Sequence, residues 1–112
     1  MNTTSTHESL ESISEAIIEV AKTVNATKAI LFGSFARGTE TRHSDIDVVM
    51  IKDTAERFVE RPQQVLSLLY DKIHGRAIDV LIYTPSEFER MSSSGNKFMQ
   101  RVLREGKIIY GN

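Results

Sequence analysis

The apolar positions of this chain change period several times, and each change marks an element. Leu10, Ile13, Ile17, Val20, Ala21 and Val24 recur at intervals of three and four, which predicts an amphipathic helix over roughly residues 7–24. Ser5 and Glu8 stand at capping-box spacing ahead of that stripe, and residues 1–6 have the Thr- and Ser-rich make-up of a frayed end. Lys28 to Phe32 is a short apolar run ending at Gly33 and reads as a buried strand. Turn-forming residues dominate from Gly33 to Ser44, with a short helix expected near Ser34 to Arg37. Asp45 to Lys52 is rich in β-branched residues and reads as a central strand. Thr54 is placed to cap a second helix, interrupted or restarted near Pro62, with Val65, Leu68 and Leu69 on one face. Gly75 marks the turn into a third strand, Ala77 to Tyr83. Thr84-Pro85-Ser86-Glu87 opens a further helix, since proline is tolerated in a first turn. Another helix is expected from about Asn96 to Arg104, stopping at Gly106, with Lys107 to Tyr110 as a last short strand.

The main order, helix, strand, strand, helix, strand, helix, helix, predicts an α/β domain with helices packed on a small mixed sheet. The 112 residues suit one domain spanning 1–112, and no repeat, low-complexity segment or long linker divides them. With 40% hydrophobic and 26% charged residues the chain has a globular rather than a disordered composition. The absence of cysteine excludes a disulfide framework and thiolate zinc sites, and fits a reducing cytoplasm. A formal net charge of −1 lacks the basic bias of most nucleic-acid binders, so strong nucleic-acid binding is not expected. No apolar run approaches the roughly 20 residues that span a bilayer, and Met1 to Leu10 has no signal-peptide pattern. The expectation is a cytoplasmic protein without a membrane partner.

The chemistry is concentrated between Leu31 and Val49. On a strand, alternate side chains share a face, so Asp45 and Asp47 point one way while Ile46 and Val48 point into the core. Two neighbouring carboxylates repel unless a cation lies between them. Mg²⁺ prefers one or two carboxylates together with substrate phosphate oxygens, so this pair suits a metal-bound triphosphate. Asp79 is again a lone acid in an apolar strand. Beside the first pair it would hold a second metal or take the proton of an attacking hydroxyl. Gly33-Ser34 follows a strand and opens a short helix, where backbone N–H groups can approach a phosphate. The Ser34 hydroxyl adds one donor, Arg37 can meet a phosphate, and Gly38 lets the loop turn back toward Asp45.

Taken singly, each feature has a plainer explanation. Gly-Ser is a common turn, Asp-x-Asp is usually a strand edge, Asp79 could pair with Arg76, and Arg37 could be a solvated charge. Their conjunction is less easily explained away. His7, His43 and His74 show no metal-ligand spacing. Lys97, Arg101, Arg104 and Lys107 form a basic run that is either a solvated helix face or a contact for a phosphate or an acidic partner.

The string Gly33-Ser34-Phe35-Ala36-Arg37-Gly38, followed by Ser44-Asp45-Ile46-Asp47-Val48, resembles the signature of the minimal nucleotidyltransferases within the DNA polymerase beta-like superfamily. The similarity extends over roughly residues 28–110. It implies a compact nucleotidyltransferase fold. It also implies Mg²⁺ on Asp45 and Asp47 with Asp79 as the third acid, and nucleotide phosphates at Gly33 and Ser34, with Arg37, Gly38 and Ser44 in the same motif. The resemblance further implies an antitoxin that transfers AMP from ATP to a tyrosine of a HEPN-type ribonuclease toxin, and it leaves room for an oligomer with that toxin. Little chain follows Asp79, so the acceptor is expected to be held by a partner protein, by another copy of the chain, or not at all. The alternatives are a non-catalytic antitoxin that binds by occlusion, and nucleotidyl transfer to a small molecule or a nucleic-acid 3′ end.

Overall fold

A computed structural model describes residues 9–111 of the chain. Its elements in order are α1 (Leu10–Thr23), β1 (Lys28–Phe32), α2 (Ser34–Arg37), β2 (Ile46–Ile51), a 3₁₀ turn (Phe58–Glu60), α3 (Pro62–Tyr70), β3 (Ile78–Tyr83), α4 (Pro85–Ser93), α5 (Lys97–Glu105) and β4 (Lys107–Tyr110). The four strands form one sheet in the order β3-β2-β1-β4. β1 runs antiparallel to β2 and β4, and β2 runs parallel to β3, so the sheet is mixed as expected.

The sheet is buried on both faces. On one, Ile46, Val48 and Met50 of β2 meet Ile13, Ile17 and Val20 of α1 and Val65 and Leu69 of α3. On the other, Ile30, Val49 and Ile51 meet Met99 and Val102 of α5, with Phe88 and Met91 of α4 beside them. The alternation along β2 therefore separates two cores. The face that carries Val49 and Ile51 is also the face of Asp47, so α5 packs on the side where the acids emerge.

Helix starts follow local chemistry. Ser9 caps α1 through the Ser12 amide, and Ser12 reaches back to the Ser9 amide. The Ser5–Glu8 spacing and residues 1–6 lie outside the described residues. α4 starts at Pro85 as expected, with Thr84 and Glu87 forming its capping box, and Asn96 caps α5 through the Met99 amide. The expectation for Thr54 is corrected: its hydroxyl accepts from the Glu56 amide in a local turn, and α3 begins only at Pro62. The reason lies in Arg61. Its guanidinium, 9% exposed, donates to both oxygens of Glu87 at 2.7 and 3.2 Å and to the Ile82 carbonyl at 3.1 Å. That tie sets where the chain enters α3, and a local capping signal does not compete with it. Gly106 ends α5 as expected, but with an extended rather than left-handed backbone. Glycine is needed there because a Cβ would press on the Val102 carbonyl and Ile30.

Candidate active site

Asp47 stands on β2 opposite Phe32 of β1 on one side and Asp79 of β3 on the other. The parallel register sets Asp47 and Asp79 at the same level on neighbouring strands, close enough for the Asp79 carboxyl to raise the pKa of Asp47. The strand expected to begin at Asp45 begins instead at Ile46, so Asp45 lies one residue before β2 at the end of the loop and is exposed, while Asp47 is half-buried. Burial raises the pKa of Asp47 above the ordinary carboxylate value. The negative charges of Asp79 and then Asp45 add to the rise, while Arg37 opposes it. A carboxylate so placed is stabilised by whatever positive charge arrives.

Gly33 closes β1 and lies against that carboxylate. Its φ is +76° with ψ −154°, a region almost confined to glycine, and a Cβ would collide with Asp47 Oδ2. The main chain of the β1–α2 turn can therefore touch the acid only because no side chain intervenes. α2 is a single turn. The Gly33 carbonyl accepts from the Ala36 and Arg37 amides, and Gly38, in the left-handed region, closes the turn onto the Ser34 carbonyl.

A cavity of about 250 Å³ opens beside Asp47 and Gly33. Arg37 lines it from α2, Phe32 from β1, and Phe98, Arg101, Val102 and Glu105 from α5. Phe32 and Phe98 meet edge to face at 5.8 Å, giving the cavity an aromatic wall. Glu105 gathers three guanidiniums at its rim: Arg104 at 3.6 Å, Arg37 at 3.7 Å and Arg101 at 3.9 Å.

Of the residues expected at the site, Gly33, Arg37 and Asp47 line this cavity, Asp79 is beside Asp47, and Asp45 is near enough to act on it. Ser34 is half-buried and receives the Gly38 and Thr39 amides on its carbonyl. The Ser44 hydroxyl accepts from the Thr41 amide at 2.8 Å, so it shapes the loop before Asp45. His43 is exposed in that loop. Arg76 does not pair with Asp79; it donates to the Thr41 and Ser44 carbonyls and lies over the Phe35 ring. Phe98 and Glu105 carry no signal of their own in the sequence, and Arg101 shows only as part of the basic run. Among the described residues no three acids or histidines close a metal site by themselves. The donor set nevertheless suits Mg²⁺, which takes one or two carboxylates and completes its shell with phosphate oxygens and water.

The profile of the polymerase beta nucleotidyltransferase family matches residues 15–112. The chain belongs to that family. The match spans both halves of the acidic cluster, Asp45 with Asp47 and then Asp79, so this nucleotidyltransferase carries the cluster inside its family segment. MJ0604 of Methanocaldococcus jannaschii, assigned by name as a protein adenylyltransferase, is 34% identical over 74% of this chain and 77% of its own. Among solved structures, a toxin-antitoxin crystallised with AMP-PNP superposes with a TM-score of 0.63 at 23% identity, covering 88% of this chain and 73% of that one. The complex of the tri-AMPylated Shewanella oneidensis HEPN toxin with the MNT antitoxin gives 0.62 at 17% identity, covering 93% and 74%. At these identities the structural likeness establishes the shared fold. No helix among the described residues is long and apolar enough to cross a membrane.

Proposed function

We propose that this nucleotidyltransferase moves AMP from ATP to a tyrosine hydroxyl of a HEPN-type ribonuclease toxin and so acts as that toxin's antitoxin. The observation that carries the reading is the level pairing of Asp47 with Asp79, with Asp45 adjacent and a cavity of about 250 Å³ opening on Gly33. The name of MJ0604 supports a protein acceptor, and the toxin-antitoxin neighbours support a toxin as that protein. ATP as donor sets the reaction in the cytoplasm.

Asp45, Asp47 and Asp79 would hold Mg²⁺, which when bound offsets charge on the triphosphate and on the oxygens that attack and leave. The chain's own part is positioning. Gly33 brings main chain against Asp47, and Arg37 and Arg101 face the cavity as charge partners for phosphate. The acceptor hydroxyl attacks the α-phosphorus, the bond to the bridging oxygen of the β-phosphate breaks, and pyrophosphate leaves. Asp79, exposed on the edge strand, would receive the hydroxyl proton.

The test uses ATP labelled at the α-phosphate, Mg²⁺ and a purified HEPN toxin encoded beside this protein, or a lysate of the source cells where none is known. Label on the toxin with the parent, and none with Asp45→Asn/Asp47→Asn, is the expected result. Neutralisation of the toxin by the double variant without label would overturn the reading in favour of an antitoxin that binds by occlusion. Label on a small molecule or RNA alone would replace the acceptor.

A further inference from the structure

Asp45 is exposed and lies outside the strand, at the end of an exposed loop, yet it must keep a fixed place beside Asp47 and Asp79. We infer that Arg76 is a positioning residue, clamping the Thr41–Ser44 turn so that Asp45 is held against the other two acids. This inference rests on the reading of the three aspartates as a cation site.

The clamp consists of two consecutive residues. Arg76 Nη1 donates to the Ser44 carbonyl at 2.9 Å and to the Thr41 carbonyl at 3.0 Å. The next residue, Ala77, accepts the Ile46 amide on its carbonyl at 2.9 Å. The peptides on both sides of Asp45 are thus tied to residues 76 and 77, and Asp79 follows two positions later. The spacing between the first and third acid is set by this short stretch of main chain entering β3. The guanidinium also lies over a ring, its central carbon 4.8 Å from the centroid of buried Phe35 in α2. One side chain therefore joins the entry of β3, the loop before β2 and the helix after Gly33.

The other bonds of the turn are internal: the Ser44 amide to the Thr41 carbonyl, the Thr41 amide to the Ser44 hydroxyl, the His43 amide to the Thr41 hydroxyl, and one between the Thr41 and Ser44 hydroxyls. They give the turn its shape without attaching it to the sheet. Thr41, Arg42 and His43 are exposed, so no apolar burial fixes it either. Both bonds of Arg76 go to carbonyls, so its effect on the acids passes through the main chain.

A positioning role and a simple charge effect predict opposite signs. Removing a positive charge near a cation site strengthens cation binding if charge is what matters. Removing a positioning group weakens it, by about 10- to 100-fold for residues that orient metal ligands. The probe is Mn²⁺, titrated into the full chain and followed by the EPR signal of the free ion, with thermal melts of the metal-free proteins alongside. Asp47→Asn is the control: unchanged Mn²⁺ binding there removes the cation site itself, whatever Arg76 does. With that control satisfied, Arg76→Met is expected to weaken Mn²⁺ binding at least tenfold, Arg76→Lys to weaken it less, and Arg76→Met to add nothing in an Asp45→Asn background. Unchanged or tighter binding in Arg76→Met overturns the inference, as does an equal further loss in the Asp45→Asn background. Should Arg76→Met not fold, Arg76→Lys decides: weakened binding supports the clamp and unchanged binding overturns it.

Discussion

Asp47 and Asp79 occupy matching positions on the parallel strands β2 and β3, and the charge of Asp79 raises the pKa of Asp47. Two ionised acids side by side on a rigid sheet repel each other. The strands cannot splay to relieve the repulsion, because Ile46, Val48, Ile78 and Val80 anchor the same strands in the core behind them. The protein can relieve it in two ways, by binding a proton or by binding a cation.

The first prediction concerns that repulsion. The raised pKa of Asp47 means that the folded state holds its proton more tightly than the unfolded chain. Its contribution to stability is therefore fully present below the unfolded value of 3.8 and is lost as pH rises through the higher folded value. At neutral pH, without metal, Asp47 opposes folding. Asp47→Asn should melt at a higher temperature than the parent in EDTA at pH 7. Mg²⁺ should raise the melting temperature of the parent more than that of the variant, and transfer by the variant should fall at least about a hundredfold. Calorimetry with and without Mg²⁺ checks all but the last, and a variant no more stable than the parent in EDTA would contradict the account.

Gly33 gives a second prediction. Ala at this position meets both a left-handed φ and the Asp47 carboxylate, so the turn must shift. The strain is of order 1–3 kcal/mol. A displacement of about 1 Å at the reacting centre costs on the order of a hundredfold in rate. Gly33→Ala should therefore lose far more activity than stability, which paired melting and single-turnover measurements separate. Gly38→Ala, where a Cβ would meet nothing within 4 Å, should lose mainly the backbone preference, about 1 kcal/mol, and keep activity within a few-fold.

How much of this was legible in the sequence depended on the range of the interaction. The strand pattern placed Ile46 and Val48 inward and left the acids together, because alternation is a local property of a strand. The helix starts at Thr84-Pro85 and near Asn96 are legible for the same reason. The partner of Asp47 was only conditional: Asp79 joins it if β3 runs beside β2, and strand order is a long-range choice. Thr54 misled because a helix start depends on what holds the preceding chain, here Arg61 on Glu87, residues 26 apart. The sequence offers Arg76 only as an alternative partner for Asp79, because charge is visible in a sequence and acceptor carbonyls are not. The cavity wall from α5 was the least legible part, since Phe98 and Glu105 reach the site through packing alone.

The Arg61–Glu87 pair yields a pH prediction of opposite sign. Hydrogen bonds from Arg61 and then from the Thr84 backbone hold the Glu87 carboxyl at about 2, below its ordinary 4.5. A lowered carboxylate contributes stability that is present above the unfolded value and is lost as pH falls through the folded one. The parent should lose stability progressively between about pH 5 and pH 2 through this group. Glu87→Gln should flatten that slope and cost about 1.5–3 kcal/mol at pH 7, the range for a hydrogen bond to a charged group. Chemical denaturation at stepped pH measures both, and an unchanged acid limb in the variant would show that other carboxylates dominate it.

The final prediction concerns the cavity rim. Glu105 lies 3.6–3.9 Å from three guanidiniums, contacts too long for strong hydrogen bonds, and the guanidiniums are about half or more exposed. Each contact is weak, and Glu105 is one negative charge standing where phosphate oxygens would lie if the triphosphate fills the cavity. Nucleotide and Glu105 then compete for Arg37 and Arg101. Glu105→Gln removes the competitor while keeping shape, so KM for ATP should fall by about two- to fivefold, the equivalent of the roughly 0.5–1 kcal/mol typical of exposed pairs. Arg37→Gln should move KM the other way and make it less sensitive to salt, because an attraction screened by salt has been removed. The two substitutions combined separate competition from independent effects. If Glu105 acts by holding Arg37, its removal gains less when Arg37 is already gone. A KM for Glu105→Gln equal to or above that of the parent would place the phosphates elsewhere and leave the carboxylate as a tether of α5 alone.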